Sequence, residues 1–344
     1  MRSFSRALGR VVPLVLLVAS CSDVPGHRTT VQFEVPVDQD GFWYKGNTHA
    51  HTTMSDGDSP PEYVARWYKE HGYDFLVLSD HNVFTDPQTL SGLVDSTFLL
   101  IPGEELTSSF DQAAVHVNGL NIPYALEART STTLVGTIQA NVDAVREVEG
   151  VPHINHPNFR WSFGAKELAQ IERDRLLEIS NGHPTVHNEG GEGSPGMEEI
   201  WDILLSNGKR IYGIAVDDAH HFQGEFALDR ANPGRGWVTV KARNLDAMTL
   251  MEALEAGHFY ASTGVELSDI VITHDRLEVH INRESDFRYT TTFIGEGGRV
   301  LSESTQNPAI FELVTNVRYV RARVRDSAGR VAWTQPVFVV ERSG

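Results

Sequence analysis

Seven short apolar runs are spread through the first two thirds of this chain, and six of them deliver a histidine or an acid near their carboxyl ends. Phe42–His49 ends in His49-Ala50-His51, and Phe75–Leu78 leads into Ser79-Asp80-His81-Asn82. Phe98–Ile101 is followed by Pro102-Gly103-Glu104-Glu105, and Ala113–Leu120 carries His116. Val151–Asn155 closes on His156, and Ile211–Val216 delivers Asp217-Asp218-Ala219-His220. Helical patterns lie between the runs. Ser59-Pro60-Pro61-Glu62 reads as a helix start, with Val64, Trp67, Tyr68 and His71 recurring at helical spacing until Gly72. Leu134–Val148 places Val135, Ile138, Val142 and Val145 on one face, and Glu198–Ser206 is a further helix. This β/α alternation predicts a parallel sheet, open or closed as a barrel, whose strand ends converge on one face where ligand sites are built.

The residue types at those ends are metal ligands. His49 and His51 are two apart on a strand, so both imidazoles can reach one ion. Asp56 follows in the turn Ser55-Asp56-Gly57. His81, Glu105, His116, His156, Asp218 and His220 complete a set of imidazoles and carboxylates suited to Zn, Mn or Fe, with carboxylates able to be shared between neighbouring ions. Ions held in this way lower the pKa of bound water from about 15.7 toward about 7, so hydrolysis needs no protein nucleophile. Asp80 and Asp217 adjoin ligands and could orient imidazoles, and Asp217 could equally move a proton as a catalytic residue. His153, Arg160, His183, His187 and His221 lie near strand-end loops. All five could bind a leaving group or phosphate, with Arg160, His187 and His221 the leading candidate contacts to substrate, although each also suits a solvated or structural role.

In this order, His-x-His, Ser-Asp-His, Gly-x-Glu, a mid-chain His, His-Pro and Asp-Ala-His resemble the PHP (polymerase and histidinol phosphatase) metallohydrolases. Gly46-Asn47-Thr48-His49-Ala50-His51-Thr52, Gly72-Tyr73-Asp74-Phe75-Leu76 and Asp217-Asp218-Ala219-His220-His221 are similar to the carbaryl-hydrolase-like branch. So are Gly236-Trp237-Val238, the segment from Gly257 to Gly264, and Ala332-Trp333-Thr334-Gln335-Pro336. The resemblance implies an α/β fold, a distorted (β/α)7 barrel holding two or three divalent ions. By analogy His49, His51, Glu105 and Asp218 hold one, and Asp56, His81 and His220 a second. Glu105 bridges to a third with His116 and His156. Position 56 is His in some members and Asp here, which puts metal preference and occupancy in doubt. Glu104 competes with Glu105, and the Gly-x-Glu spacing favours Glu105. The implied activity is hydrolysis of a small-molecule ester, with phosphate mono- or diesters leading. Carboxylic or carbamate esters are the alternative, and a non-catalytic envelope binding protein is a further one.

After about Glu266 the pattern becomes short strands separated by turns, predicting a small β-sandwich over 266–344 after a barrel over 41–265. Tyr319–Arg325 alternates like a half-exposed strand. At the other end, Arg2, Arg6 and Arg10 precede an apolar run too short to span a bilayer, and Val18-Ala19-Ser20-Cys21 resembles a bacterial lipobox. Residues 1–20 are then a lipoprotein signal peptide and 21–40 a tether, with Cys21, the only cysteine, lipidated and anchoring the chain to the membrane. The expected location is the cell envelope, at the outer membrane facing periplasm or exterior. Without the three leader arginines, the 29 Lys and Arg become 26 against 46 Asp and Glu, and the net charge moves from −17 to −20. Such a surface repels phosphate backbones, so no nucleic acid partner is expected. Gly190–Gly196 lacks the Gly-Lys-Ser/Thr of a phosphate loop and the Gly-x-Ser-x-Gly of a nucleophile elbow.

Overall fold

The computed structural model describes residue 1 and residues 30–36, 40–191, 193–284, 286–314 and 317–342. The apolar leader, Cys21 and most of the stretch read as a tether lie outside the described residues. The rest of that stretch contains a strand, β1 (Thr30–Phe33), which pairs antiparallel with the last strand of the chain. There follow β2 (Phe42–Asn47), α1 (Pro61–Glu70), β3 (Phe75–Val77), β4 (Leu99–Ile101), β5 (Gly103–Phe110) and β6 (Ala113–Leu120). Next come α2 (Leu134–Glu147), β7 (Val151–Ile154), α3 (Ala165–Leu168), β8 (Leu176–Asn181), α4 (Met197–Ser206) and β9 (Tyr212–Val216). The fold continues with β10 (Trp237–Ala242), α5 (Ala247–Ala256), β11 (Phe259–Ser262), β12 (Leu267–Ile272), β13 (Arg276–Ile281) and β14 (Tyr289–Gly295). It ends with β15 (Arg299–Ser304), β16 (Ala309–Glu312), β17 (Tyr319–Asp326), β18 (Val331–Thr334) and β19 (Val337–Arg342). Among the described residues, no helix is long and apolar enough to cross a membrane.

Local chemistry sets these boundaries. Pro61 opens α1 at a position where its missing N–H costs nothing, and Val64, Ala65 and Tyr68 form the buried stripe. Thr133 caps α2 by accepting from Gly136 N at 3.0 Å, and Ile138, Val142 and Val145 are buried as their spacing predicts. Asp246 caps α5 through Thr249 N at 2.9 Å. That helix stops at Gly257, whose φ of +76° and close approach to the Tyr212 ring both exclude a side chain.

The parallel ladders are β2-β3-β4 and β7-β8-β9. Between them, β5 and β6 form an antiparallel hairpin around Asp111-Gln112, with Asp111 at φ +51°, and β6 runs antiparallel to β7. The expected closed barrel is not found: among the described residues the ladders do not join into one ring. Pro102, with no N–H to give, separates β4 from β5, and among the described residues the strand pairing between the two sheets is two isolated bridges, His81 to Glu105 and Ala50 to Ala219. The bridges fall at the candidate ligands, so the sheets part where the site is built. Strands of both sheets still bury one core, with Phe75, Val77, Ile101, Leu120, Val151, Leu176, Ile214, Val216 and Val238 in a common cluster.

The carboxyl-terminal strands continue the first sheet rather than standing alone. Its order is β1-β19-β17-β18-β11-β10-β2-β3-β4, with the β11–β18 pairing as the joint. A three-stranded sheet, β12-β13-β16, shares a core with β14, β17 and β19 through Leu277, Val279, Phe293, Phe311, Val320 and Val337. Arg321, expected on a half-exposed strand, is only 1% exposed. Its guanidinium makes a bidentate pair with Asp202 of α4, at 2.8 and 2.6 Å, and lies 2.8 Å from Glu198. Asp202→Ala leaves that charge buried with a poorer partner, and we expect a loss of about 3 kcal/mol in urea unfolding. The double variant Asp202→Leu with Arg321→Met regains most of it, and a loss below about 1 kcal/mol in the single variant would show the pair to be dispensable.

Candidate metal centre

Four donor atoms meet where His49 and His51 follow β2, Asp218 follows β9 and Glu105 lies near the start of β5. His49 Nε2 and His51 Nε2 are 3.1 Å apart. Glu105 Oε2 lies 3.4 Å from each, and Asp218 Oδ1 lies 3.3 and 3.2 Å from them. Donors 2.0–2.1 Å from a common ion in a tetrahedron stand about 3.3 Å apart, so the spacing fits a divalent metal. Glu105 Oε2 and His116 Nδ1 are buried without a well-formed hydrogen bond, although Oε2 lies 2.8 Å from His81 Nδ1 and His116 Nδ1 lies 2.8 Å from Glu105 Oε1. Buried polar atoms left in this state are costly without a cation to face them.

A second group lies toward solvent. Asp56 Oδ1 is 3.5 Å from His51 Nδ1 and 3.3 Å from His220 Nε2, and Asp56 Oδ2 is 3.5 Å from His81 Nε2. Here the Asp56 side chain is 53% exposed, whereas His49 and His51 are fully buried. His81, Glu105 and His116 form a third group, with His156 Nε2 3.6 Å from Glu105 Oε1. All nine residues singled out from the sequence therefore converge. Glu105 sits inside β5 rather than in a loop after β4, and it is the carboxylate common to the first and third groups. Glu104 points elsewhere, accepting a hydrogen bond from Leu126 N.

The carboxylates are aimed by amides the sequence reading missed. Asn155 Nδ2 donates to Glu105 Oε1 at 2.7 Å, and Asn181 Nδ2 donates to Asp218 Oδ2 at 3.1 Å. Each amide occupies one oxygen and leaves the other facing the imidazole pair. Asp218 reaches this position from a left-handed backbone, φ +49°, held by its N–H donating to His49 O at 3.0 Å. The imidazoles are set in the same way. His49 Nδ1 donates to Glu178 Oε1 at 2.7 Å, and His220 Nδ1 donates to the Asp218 carbonyl at 2.9 Å, which leaves Nε2 as the acceptor atom in each. Glu178 is fully buried and also accepts from His156 N and Asn181 Nδ2, both at 2.8 Å. It lies on β8, the apolar run that seemed to deliver no ligand, and an acid in the middle of Leu-Leu-Glu-Ile-Ser was the available signal.

No protein-family model matches this chain. Over 211 residues it is 28% identical to the 5'-3' exoribonuclease Rnm of Escherichia coli strain K12, a match covering 56% of this chain and 67% of that protein. The match to Rnm of Salmonella typhimurium is 27% over 208 residues, with the same coverage. Among solved structures, the chain superposes with a TM-score of 0.51 and 16% identity on a two-domain protein of Bacteroides vulgatus containing a predicted PHP-like metal-dependent phosphoesterase. That superposition covers 86% of this chain and 93% of the other. The fold is therefore a PHP-like mixed α/β fold.

Electrostatics agree with a cation site. Burial opposes ionisation of Glu105 and Asp218, yet the surrounding imidazoles hold both carboxyls well below their usual range. Burial and the neighbouring His220 push His51 down to about 4. His81 goes the other way: against burial, Asp56 and Glu105 raise it to about 10. In the metal-free protein, His81 therefore contributes stability that is fully present below its unfolded pKa of about 6.5 and is lost as pH rises through about 10. The melting temperature of chelator-treated protein should fall between pH 7 and 10.5, and His81→Gln should flatten that fall. An unchanged slope in the variant would contradict the assignment.

The neighbouring acids have other duties. Asp80 orients no imidazole: it accepts from Thr52 N, Thr52 Oγ1 and Ser55 Oγ at 2.7–2.8 Å, fixing the turn that presents Asp56. Asp217 accepts from Tyr68 OH and the amides of Gly234, Arg235 and Gly236 at 2.6–2.9 Å. That full set of donors makes it the clasp of the following loop rather than a proton carrier. His221 Nδ1 accepts from Ala231 N at 3.2 Å within its own loop, and exposed His187 stacks on Trp161 of the segment after β7 at 4.4 Å, joining two loops. Arg160 is exposed and lies over the Phe159 ring, which in turn sits 5.3 Å from His156.

Proposed function

We propose that this chain is a metal-dependent hydrolase that cleaves phosphate mono- or diesters of small molecules. The observation that carries the proposal is the set of His49, His51, Glu105 and Asp218 donor atoms 3.1–3.4 Å apart, each carboxylate with its second oxygen already held by an asparagine. His49, His51, Glu105 and Asp218 would hold one ion, Asp56, His81 and His220 a second, and Glu105, His116 and His156 a third. Bound there, Mn, Zn or Fe would supply Lewis acidity and water acidic enough to ionise near neutral pH. Substrate approaches on the Asp56, His81 and His220 side, because that is the exposed edge of an otherwise buried cluster. Asp80 and Asn181 keep Asp56 and Asp218 in place as it does so.

A second reading, hydrolysis at the ends of RNA, is favoured by the likeness to Rnm and weighs against the expectation that nucleic acid is no partner. The net charge of −17 works against a long polyanion, so the small ester remains the leading substrate. A panel of aryl phosphates, short 5'-phosphorylated RNA, aryl esters and carbamates, each with Mn, Zn or Fe, separates the readings. Turnover of phosphate esters is expected. Turnover of carbonyl esters alone would overturn the proposal and would favour the carbaryl-hydrolase-like branch.

We also propose, on separate grounds, that residues 1–20 are a lipoprotein leader, with Cys21 lipidated and the protein anchored at the cell envelope. Its support is the basic start, the short apolar run and Val18-Ala19-Ser20-Cys21. Expressed in a bacterial host, the chain should incorporate labelled palmitate and Cys21→Ala should not.

A further inference from the structure

His183 stands beside the candidate centre without belonging to it. Its ring centroid is 5.2 Å from that of His220, and Asp218, His156 and His49 are near enough to act on its charge. The backbone explains its placement. His183 N donates to Asn181 Oδ1 at 2.8 Å, and the same asparagine holds Asp218 through its Nδ2 at 3.1 Å, so one residue positions a ligand carboxylate and this loop. Asn188 closes the loop by donating to Asn181 O at 2.8 Å and accepting from Asn181 N at 2.9 Å.

The tautomer follows from the neighbours. Thr185 N donates to His183 Nδ1 at 3.3 Å, and a backbone amide can only give, so Nδ1 is the acceptor. Thr185 Oγ1, 2.9 Å from the same nitrogen, is consistent with that role. In the neutral ring the hydrogen is therefore on Nε2, and among the described residues nothing accepts it. The imidazole is half-buried, so the donor is accessible from solvent while its ring is held. The other histidines of the strand-end loops differ. His153 is enclosed behind His49 against Glu178, 3.2 Å away, His187 is stacked on Trp161, and His221 accepts from Ala231 N in its own loop.

We infer that His183 is a substrate-binding residue whose Nε2–H donates a hydrogen bond to a phosphoryl oxygen of the substrate. This rests on the phosphoesterase reading. A phosphoryl group brought to the Asp56, His81 and His220 edge would carry negatively charged oxygens beside His183, and a preorganised neutral donor suits charge developing there. The bond is a donation only; the proton stays on Nε2, and no further reactant is needed.

The test uses Zn-loaded protein, wild type against His183→Phe, which keeps a ring but has no donor, and His183→Gln, which restores an N–H. Metal content should be the same in all three. With inorganic phosphate as the probe, calorimetry should show the dissociation constant rising roughly tenfold or more in His183→Phe and partly recovering in His183→Gln. Turnover of an aryl phosphate should fall roughly a hundredfold in kcat, with a smaller change in KM. Long-range proton–nitrogen spectra of the wild type should show the Nε2–H tautomer at His183. Equal phosphate affinity in wild type and His183→Phe overturns this assignment alone. A metal-loaded wild type without phosphate affinity overturns the phosphoesterase reading together with it.

Discussion

Glu105→Gln should reduce hydrolysis roughly a thousandfold at saturating metal, the largest effect expected of any single replacement. One carboxylate faces five imidazoles: Oε2 lies 3.4 Å from His49 and His51 and 2.8 Å from His81, and Oε1 lies 2.8 Å from His116 and 3.6 Å from His156. Glutamine keeps the volume but removes the negative charge, and its amide hydrogens would face lone pairs turned toward a cation. Metal content should fall at more than one position, because the residue is shared between two donor groups. Circular dichroism should show the fold retained. Activity within tenfold of wild type, with metal content unchanged, would show that Glu105 is no ligand.

The second large effect is expected at a residue that touches no proposed ion. Glu178→Ala strands three donors at once: His49 Nδ1, His156 N and Asn181 Nδ2, which now reach the carboxylate at 2.7–2.8 Å. His49 loses the bond that fixes its tautomer, and Asn181 loses one of the bonds that aim it at Asp218. Metal affinity should drop about 10- to 100-fold, as for other partners that orient ligand imidazoles. Breaking a fully buried network should also cost about 3 kcal/mol of stability. Glu178→Gln keeps one acceptor and should fall between the two. A Glu178→Ala protein that binds metal and melts like wild type would remove Glu178 from the account.

The contrast between these two residues shows what the sequence could disclose. Glu105 was legible because Gly-x-Glu stands after an apolar run, even though Pro102 and Gly103 made it look like a loop residue rather than part of β5. The hairpin that makes β5 a strand depends on pairing with β6, which no local pattern records. Glu178 left only a weak signal, because an acid in a short run reads equally as the exposed position of an alternating strand. What reverses that reading is His49, 129 residues earlier in the chain. Arg321 was misread for the same reason: its alternation is that of a half-exposed strand, and its partner Asp202 is 119 residues away. Asp217 shows the converse error. Adjacency to Asp218 suggested shared chemistry, but successive residues at a strand end face opposite ways, and its oxygens turn to Tyr68 and the 234–236 amides. The ring expected of seven strands is instead two sheets joined by isolated bridges at His81–Glu105 and Ala50–Ala219, a break that no local pattern records.

If the nine converging residues hold cations, those cations drive phosphate-ester hydrolysis. Elemental analysis of the purified chain, run beside turnover of bis(4-nitrophenyl) phosphate before chelation, after it and after reloading, tests both parts in one series. Two or three Mn, Zn or Fe ions per chain are expected, with activity lost on their removal and regained on their return. Turnover that survives complete removal of metal, or a fully loaded chain that leaves every phosphate ester intact, would contradict it.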